Sequence, residues 1–437
     1  MGIFSKNKKS TEEVLNSVTE DSTEKIVDIF NENKEERLSK SNEKGIASDI
    51  KKLTTVVTDD DTLSEYEKEV EDARKIVSII EDSFIQKYIK DTTTDISFNG
   101  TALWVQDNRE GRYKPELQPT ENDVERLASR IASIKGMEFT DSDPIMDVEI
   151  NGLRINTVHK IISPAGTTMS VRISKPRLAI TDIEQVSTRD VADLLKACIL
   201  ADESLVISGI TGSGKTELQK ALVGHIPLSK KITLIEDSMD SHLKALYPEK
   251  DINSWRSLLS SSRANKITFE VLIKAALRNN PDWLIISEIR GSDAYDFNNA
   301  LLTGHSGLTT IHASGANNIP SRMRNMIAQQ YDIDPLLLGQ DIIENLHFGI
   351  HMEMVQDETG IYRRIREVVE YVGYDETGVV SNFLYRIHKE YDEKTNTYKP
   401  LEQLNPITQN ASRRFKRKEL YHLIPEVFRP IESKAKR

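Results

Sequence analysis

The chain has 437 residues, enough for two or three domains with a sizeable buried core and no need of covalent staples. Hydrophobic residues make up 38% of it, yet no run approaches the ~20 consecutive apolar residues of a membrane helix, which excludes a helix-spanning membrane protein. The 69 acidic and 58 basic residues leave a net charge of -11, which argues against a surface coated by nucleic acid but not against a local basic patch.

Residues 1–10 are charged and lack the apolar core of a secretory signal, and the lone Cys198 can form neither an internal disulfide nor a cysteine zinc cluster, so a reducing, cytoplasmic setting is expected. Residues 1–62 hold 17 residues of the AVILMFWYC class, about 27% against about 40% in the remainder. Such a segment cannot bury enough surface to offset its ordering entropy, and it reads as a disordered charged tail.

From 63 to 89, Val70, Ala73, Ile76 and Ile80 recur at the period of an amphipathic helix. Two hairpins follow: 96–98 with 102–105 across Asn99-Gly100, and 146–150 with 153–158 across Asn151-Gly152. Between them Val124, Leu127, Ile131 and Ile134 predict a helix over 122–135, so 63–178 reads as a helix plus a small α+β domain. Beyond 178 helix and strand alternate. Ser187 and Asp190 have capping-box spacing, and Val191, Leu194, Leu195, Cys198 and Ile199 share one apolar face, which makes Cys198 a core residue rather than a redox centre. Strands predicted at 204–208, 231–235, 283–287 and 308–311 give 179–390 the rhythm of a parallel α/β sheet. Residues 391–437 read as a basic C-terminal extension, with nine basic and three acidic residues from Arg413 onward.

Gly209-Ile210-Thr211-Gly212-Ser213-Gly214-Lys215-Thr216 is a complete G-x-x-x-x-G-K-[ST] phosphate loop between an apolar strand and a helical face of Leu218, Ala221 and Leu222. In that context backbone N–H groups and a helix N-terminus converge on an anion, Lys215 is set for the β- and γ-phosphates, and Thr216 offers its hydroxyl to Mg²⁺. Glu236 and Glu288 each follow an apolar strand directly, which sets both at carboxyl strand ends, where ligands bind in open α/β sheets. Residues 357–360 and 375–378 fit the D-x-x-G spacing of GTPases, but they lie in polar sequence with no N-K-x-D after them and read as hairpin turns.

Four elements in order resemble the secretion motor (traffic) ATPase superfamily of type II and type IV secretion, conjugation and type IV pili. They are the phosphate loop; Ile232-Thr-Leu-Ile-Glu236-Asp237, similar to its aspartate box; Pro281 to Arg290 around Glu288, similar to its second Walker motif; and Thr303 to Ala313, similar to its histidine box. Asp143-Pro144, Gly152-Leu153-Arg154 and Val171-Arg172-Ile173 resemble the amino-terminal domain of the type IV secretion and conjugation branch. Ser287 and Glu217 depart from the family pattern, standing where glycine and a small residue are usual.

The resemblance implies a RecA-like P-loop NTPase domain of α/β class preceded by a small α+β domain, with ATP and Mg²⁺ as cofactors. It implies a homo-hexamer that works with membrane-embedded subunits of a secretion, conjugation or pilus machine, cytoplasmic and in peripheral contact with the inner face of the membrane, with DNA as cargo only indirectly if at all. Carried over by residue, Gly209, Thr211, Gly212, Ser213, Gly214, Lys215 and Thr216 cradle the nucleotide. Glu288 polarises the attacking water, with Glu236 as its partner near Mg²⁺ and Thr216 beside them as metal ligand. His312 couples the γ-phosphate to domain movement about the linker 174–182. Arg154 and Arg172 bring cationic charge to the phosphates. Two other classes stay open, a nucleic-acid translocase or helicase with a similar core and a non-catalytic nucleotide-binding scaffold.

Overall fold

The structure, a computed structural model, describes residues 60–431 apart from 151, 259–266, 358–359 and 393–396, so all but the last residues of the charged tail read at 1–62 lie outside the described residues. The chain divides into two compact units between Lys175 and Pro176.

The first unit opens with α1 (Asp60–Glu81). This helix stops short of residue 89 because Ser83 caps a separate 3-10 turn, Phe84–Tyr88, accepting from Ile85 N at 3.2 Å while donating to Ile80 O at 2.7 Å. Then come β1 (Thr93–Asn99), β2 (Leu103–Asp107), β3 (Gly111–Tyr113), α2 (Glu121–Lys135), β4 (Ile145–Ile150), β5 (Leu153–Val158) and β6 (Thr168–Ile173). The strands form an antiparallel sheet in the order β3-β2-β1-β6-β5-β4. Asn99 closes the first hairpin by accepting the N–H groups of Thr101 and Ala102, with Gly100 at φ +93°. A capping box between Thr120 and Asp123 starts α2, and Gly136 in the left-handed region ends it. Ile76 and Ile80 of α1, Val124, Leu127 and Ile131 of α2, and the inward strand residues Ile96, Val105, Val148, Ile155 and Val171 make one core. The alternate strand residues form a polar face.

The second unit runs α3 (Arg189–Leu200), β7 (Leu205–Gly209), α4 (Lys215–Gly224), β8 (Lys231–Glu236), α5 (Leu243–Leu246), β9 (Asp251–Arg256), α6 (Phe269–Leu277), β10 (Trp283–Ile289), α7 (Asp293–Leu302), β11 (Ser306–Ile311), α8 (Ile319–Ile327), α9 (Pro335–Asn345), β12 (Phe348–Asp357), β13 (Gly360–Asp375), β14 (Gly378–Asp392), β15 (Thr397–Leu404) and α10 (Gln409–Arg417). Its sheet has the order β15-β14-β13-β12-β7-β11-β10-β8-β9. The strands from β12 to β9 are parallel, and β13, β14 and β15 are added antiparallel. Alternation along the strands sends Leu205, Ile207, Trp283 and Ile285 to the face covered by α3, α4 and α10, and Val206, Leu284 and Ile286 to the face covered by α6, α7, α8 and α9. The unit has the α/β class and RecA-like P-loop architecture expected from the sequence, preceded by an α+β unit. Cys198 is fully buried in α3, and Asp357 and Asp375 each end a strand at a hairpin.

Two local readings change. The cap of α3 is Thr188, whose hydroxyl accepts from Val191 N, while Ser187 donates to Ile183 O at 2.9 Å. The described residues of 391–431, a segment read as a basic extension, are built into the second unit: β15 pairs with β14, and Phe415 and Phe428 are fully buried. The cations of α10 partly turn inward. Arg414 Nε donates to Glu203 Oε1 at 2.9 Å with its guanidinium 5.7 Å from the centre of the Phe348 ring, and Lys418 Nζ lies 3.0 Å from Asp202. Burial pushes the Glu203 carboxyl up, but His347 at 2.6 Å and Arg414 outweigh it and hold the group below its ordinary range. If this segment is core, Phe415→Ala lowers the stability of the full chain by about 3–5 kcal/mol in urea unfolding. An appended surface helix would leave the midpoint unmoved.

Candidate functional site

The end of β7 turns into the phosphate loop at Gly209. Its φ is +154°, and a Cβ there would stand 2.4 Å from Ser213 Oγ and 2.5 Å from the Met352 carbonyl, so no side chain fits. Gly212 and Gly214, at φ +79° and +94°, carry the loop into α4. Gly214 is the N-cap and offers no side-chain cap, which leaves the first-turn N–H groups of α4 to a ligand or solvent. Lys215 is 8% exposed, and its ammonium donates to Gly209 O at 3.0 Å and Ile210 O at 3.1 Å. Ser213 is fully buried with its hydroxyl unpartnered, Thr216 is half-buried, and Thr211 and Gly212 are exposed.

Neighbouring strands deliver the remaining groups to the same edge. His312 follows β11 and donates from Nδ1 to Gly209 O at 3.0 Å. Its Nε2 lies 2.8 Å from Glu288 Oε1. Glu288 Oε2 accepts from Arg290 Nε and Nη2 at 3.0 and 2.8 Å, and Arg290 Nη1 reaches Asp237 at 2.6 Å. A continuous polar chain thus runs from Gly209 through His312, Glu288 and Arg290 to Asp237.

Glu236, at the end of β8, is different. It is 1% exposed, Oε1 accepts from Ser241 N at 3.0 Å, and Oε2 is buried without a hydrogen-bond partner. Burial raises its pKa to about 7 against the hydrogen bonds from Ser241. Parallel pairing of Ile235 with Ile286 sets Glu236 and Glu288 on one edge of the sheet. Among the described residues no group of three or more His, Cys, Asp or Glu side chains is arranged to hold a metal ion by itself.

Arg154 and Arg172 lie in the first unit. They face each other across β5 and β6 on its polar face, with Glu149 beside Arg154 and Asp95 beside Arg172 in the same cross-strand row. Opposed like charges cost stability in a sheet, and the flanking carboxylates offset it. Glu217, the departure after Lys215, accepts Ala179 N at 3.0 Å and pairs with Lys220 at 2.9 Å, which accounts for an acid at that position.

Three contributors had escaped the sequence reading. Gln219 of α4, fully buried, donates to Ile286 O at 2.9 Å and Leu308 O at 3.3 Å, clamping β10 to β11; its signal was a polar residue among the buried positions of the helix. Ser208 Oγ lies 2.9 Å from His351 Nδ1 of β12. Arg363 of β13 donates from Nε to Gly212 O at 2.8 Å, and nothing near it in sequence points to the loop.

A strand, glycine loop and helix with two acids at adjacent strand ends define a P-loop nucleotide-binding protein. The chain belongs to the family described as Type II/IV secretion system protein, which it matches over residues 69–387. It is 36% identical over 302 residues to an uncharacterized protein of Bacillus anthracis, covering 66% of this chain and 67% of that one. It is 27% identical over 287 residues to the type IV secretion system protein VirB11 of Brucella suis, covering 55% of this chain and 75% of the relative. Among solved structures, the pilus retraction motor PilT with bound ADP aligns at a TM-score of 0.48 and 18% identity, over 79% of this chain and 89% of that chain.

The Glu236 carboxyl makes a checkable demand on stability. Its folded pKa of about 7 lies above the ordinary 4.5, so the native state holds the proton more tightly than the unfolded chain, and this contribution, complete below 4.5, is lost as pH rises through 7. Glu236→Gln, measured without nucleotide by urea unfolding, should flatten that decline, whose size is of the order of 3 kcal/mol.

Proposed function

We propose that the chain is an ATPase that couples ATP hydrolysis to assembly or transport by a type IV secretion, conjugation or pilus machine, working as a homo-hexamer at the cytoplasmic face of the membrane. The observation that carries this reading is the convergence of Lys215, His312 and Glu288 around the Gly209 carbonyl in a member of this family. No helix among the described residues is long and apolar enough to cross a membrane.

On this reading Lys215 exchanges the carbonyls of Gly209 and Ile210 for the β- and γ-phosphates, and the N–H groups of the loop and of the first turn of α4 hold the rest of the polyphosphate. The donor set suits Mg²⁺. Thr216 supplies a hydroxyl, and Glu236 and Glu288 supply carboxylate oxygens, the open Oε2 of Glu236 among them. Hard oxygens few in number, completed by water and phosphate, match the habit of that ion, which when bound neutralises charge developing on the phosphates. Glu288, oriented by His312 and Arg290, positions the attacking water and accepts its proton. His312 joins that carboxylate to the phosphate loop and so carries a change at the phosphates into the β11 end. Arg154 and Arg172 of the first unit are assigned to bring cationic charge to the phosphates as the linker 174–182 flexes.

Glu288→Gln should cut ATP turnover by about 100- to 1000-fold while nucleotide binding persists, read by phosphate release and by a fluorescent nucleotide. Near wild-type turnover would remove Glu288 from the role. Electron microscopy of the purified chain with a non-hydrolysable ATP analogue should show six-membered rings. A monomer under those conditions would sink the hexameric motor and favour a scaffold.

A further inference from the structure

We propose that Arg363 is a positioning residue of the phosphate loop, one that holds the Gly212–Ser213 peptide in the orientation that receives nucleotide phosphates. The inference rests on the reading of this loop as the nucleotide site.

The sheet brings Arg363 to the loop from 151 residues away. Met352 of β12 pairs with Gly209 at the end of β7, and Arg363 of β13 pairs with Met354 of β12, so the hairpin overhangs the start of α4. Arg363 Nε donates to Gly212 O at 2.8 Å. Its aliphatic stem packs on the next glycine, since a Cβ on Gly214 would meet Arg363 Cδ at 3.3 Å and Met352 Cε at 3.4 Å. One side chain therefore holds the carbonyl and covers the backbone beside it.

That carbonyl matters because of what lies on the opposite side of its peptide. The peptide bonds among the described residues are trans, and in a planar trans peptide the C=O and the following N–H point in opposite directions. Anchoring Gly212 O at Arg363 therefore aims the Ser213 N–H the other way, where it meets Ile210 O at 3.2 Å, the same oxygen that accepts the Lys215 ammonium at 3.1 Å. Ser213 N–H and Lys215 thus face one interior point, as donors must if they are to share a phosphate. Gly212, at φ +79°, has no side chain to restrict the rotation of this peptide, which is held on its N–H side by Ile210 O within the loop and on its carbonyl side by Arg363 from outside it. A reversed peptide would turn a carbonyl oxygen toward the phosphates and repel them. The guanidinium also adds a positive charge next to the loop, in a partly buried setting where charge is poorly screened.

The role concerns the ground-state cradle, so it bears on diphosphate and triphosphate alike. The test uses the full chain with Mg²⁺ and compares wild type, Arg363→Met, which keeps the stem and removes the donor, and Arg363→Lys, which returns a donor and a charge. Arg363→Met should weaken both ADP and a non-hydrolysable ATP analogue about tenfold, with the loss in steady-state turnover falling on KM more than on kcat, and Arg363→Lys should recover most of it. Thermal unfolding identifies a folding defect in Arg363→Met, in which case Arg363→Gln, uncharged and shorter, carries the comparison with the same thresholds. The inference is overturned if wild type binds ADP and the variant binds it within twofold, or if the loss falls on kcat with affinity kept. A wild type that binds no ADP would overturn the nucleotide reading along with it.

Discussion

The second unit is organised around one carbonyl oxygen. Gly209 O, the last acceptor of β7, receives the Lys215 ammonium and the His312 ring, each at 3.0 Å, and its two lone pairs are thereby spoken for. Because the atom is backbone at the end of a strand paired on both sides, its position is inherited from the sheet rather than from a side-chain rotamer. The crowding of Ser213 Oγ and Met352 O against the site where a Cβ would stand makes glycine the only residue that allows this approach. Phosphate loop and histidine thus share one acceptor.

The sheet also explains why chemistry collects at one edge. Both faces of β7, β8, β10 and β11 are covered by helices, and their residues alternate between two apolar cores, so charged side chains stand only at or next to the strand ends. Glu236 and Glu288 occupy equivalent places in the sequence pattern, yet their surroundings drive them apart. One is sealed, with an open oxygen and a pKa raised to about 7; the other is tied between His312 and Arg290. Two carboxylates in unlike settings are suited to unlike tasks.

The last third of the chain supports this edge from behind. Glu367 of β13 accepts Ala316 N at 2.9 Å and Tyr371 donates to Ala316 O at 2.7 Å, which secures the segment after His312, while Ile365 N on the same strand donates to Val186 O at 2.7 Å. Phe415 and Phe428 complete the core, and Arg414 satisfies the buried Glu203. A run of cations reads as surface in composition because composition cannot tell an Arg that meets a buried carboxylate from one that meets water.

Most of the fold was legible in the residues themselves. The phosphate loop, the Asn-Gly hairpin at 99–102, the α2 helix and the buried strands depend on the φ/ψ needs of consecutive residues and on hydrophobic period, both of which are local and are written directly in the order of side chains. The positions of Glu236, Glu288 and His312 at strand ends, and of Lys215 at the start of α4, followed from the same locality. What the tertiary structure alone decided is what those residues touch. The order that sets β7 between β11 and β12 joins His312 to Gly209 across 103 residues and Arg363 to Gly212 across 151, and it turns the basic C-terminal segment into core. Strand order is chosen by the burial of whole faces against one another, a global free-energy minimum to which no short stretch of sequence corresponds.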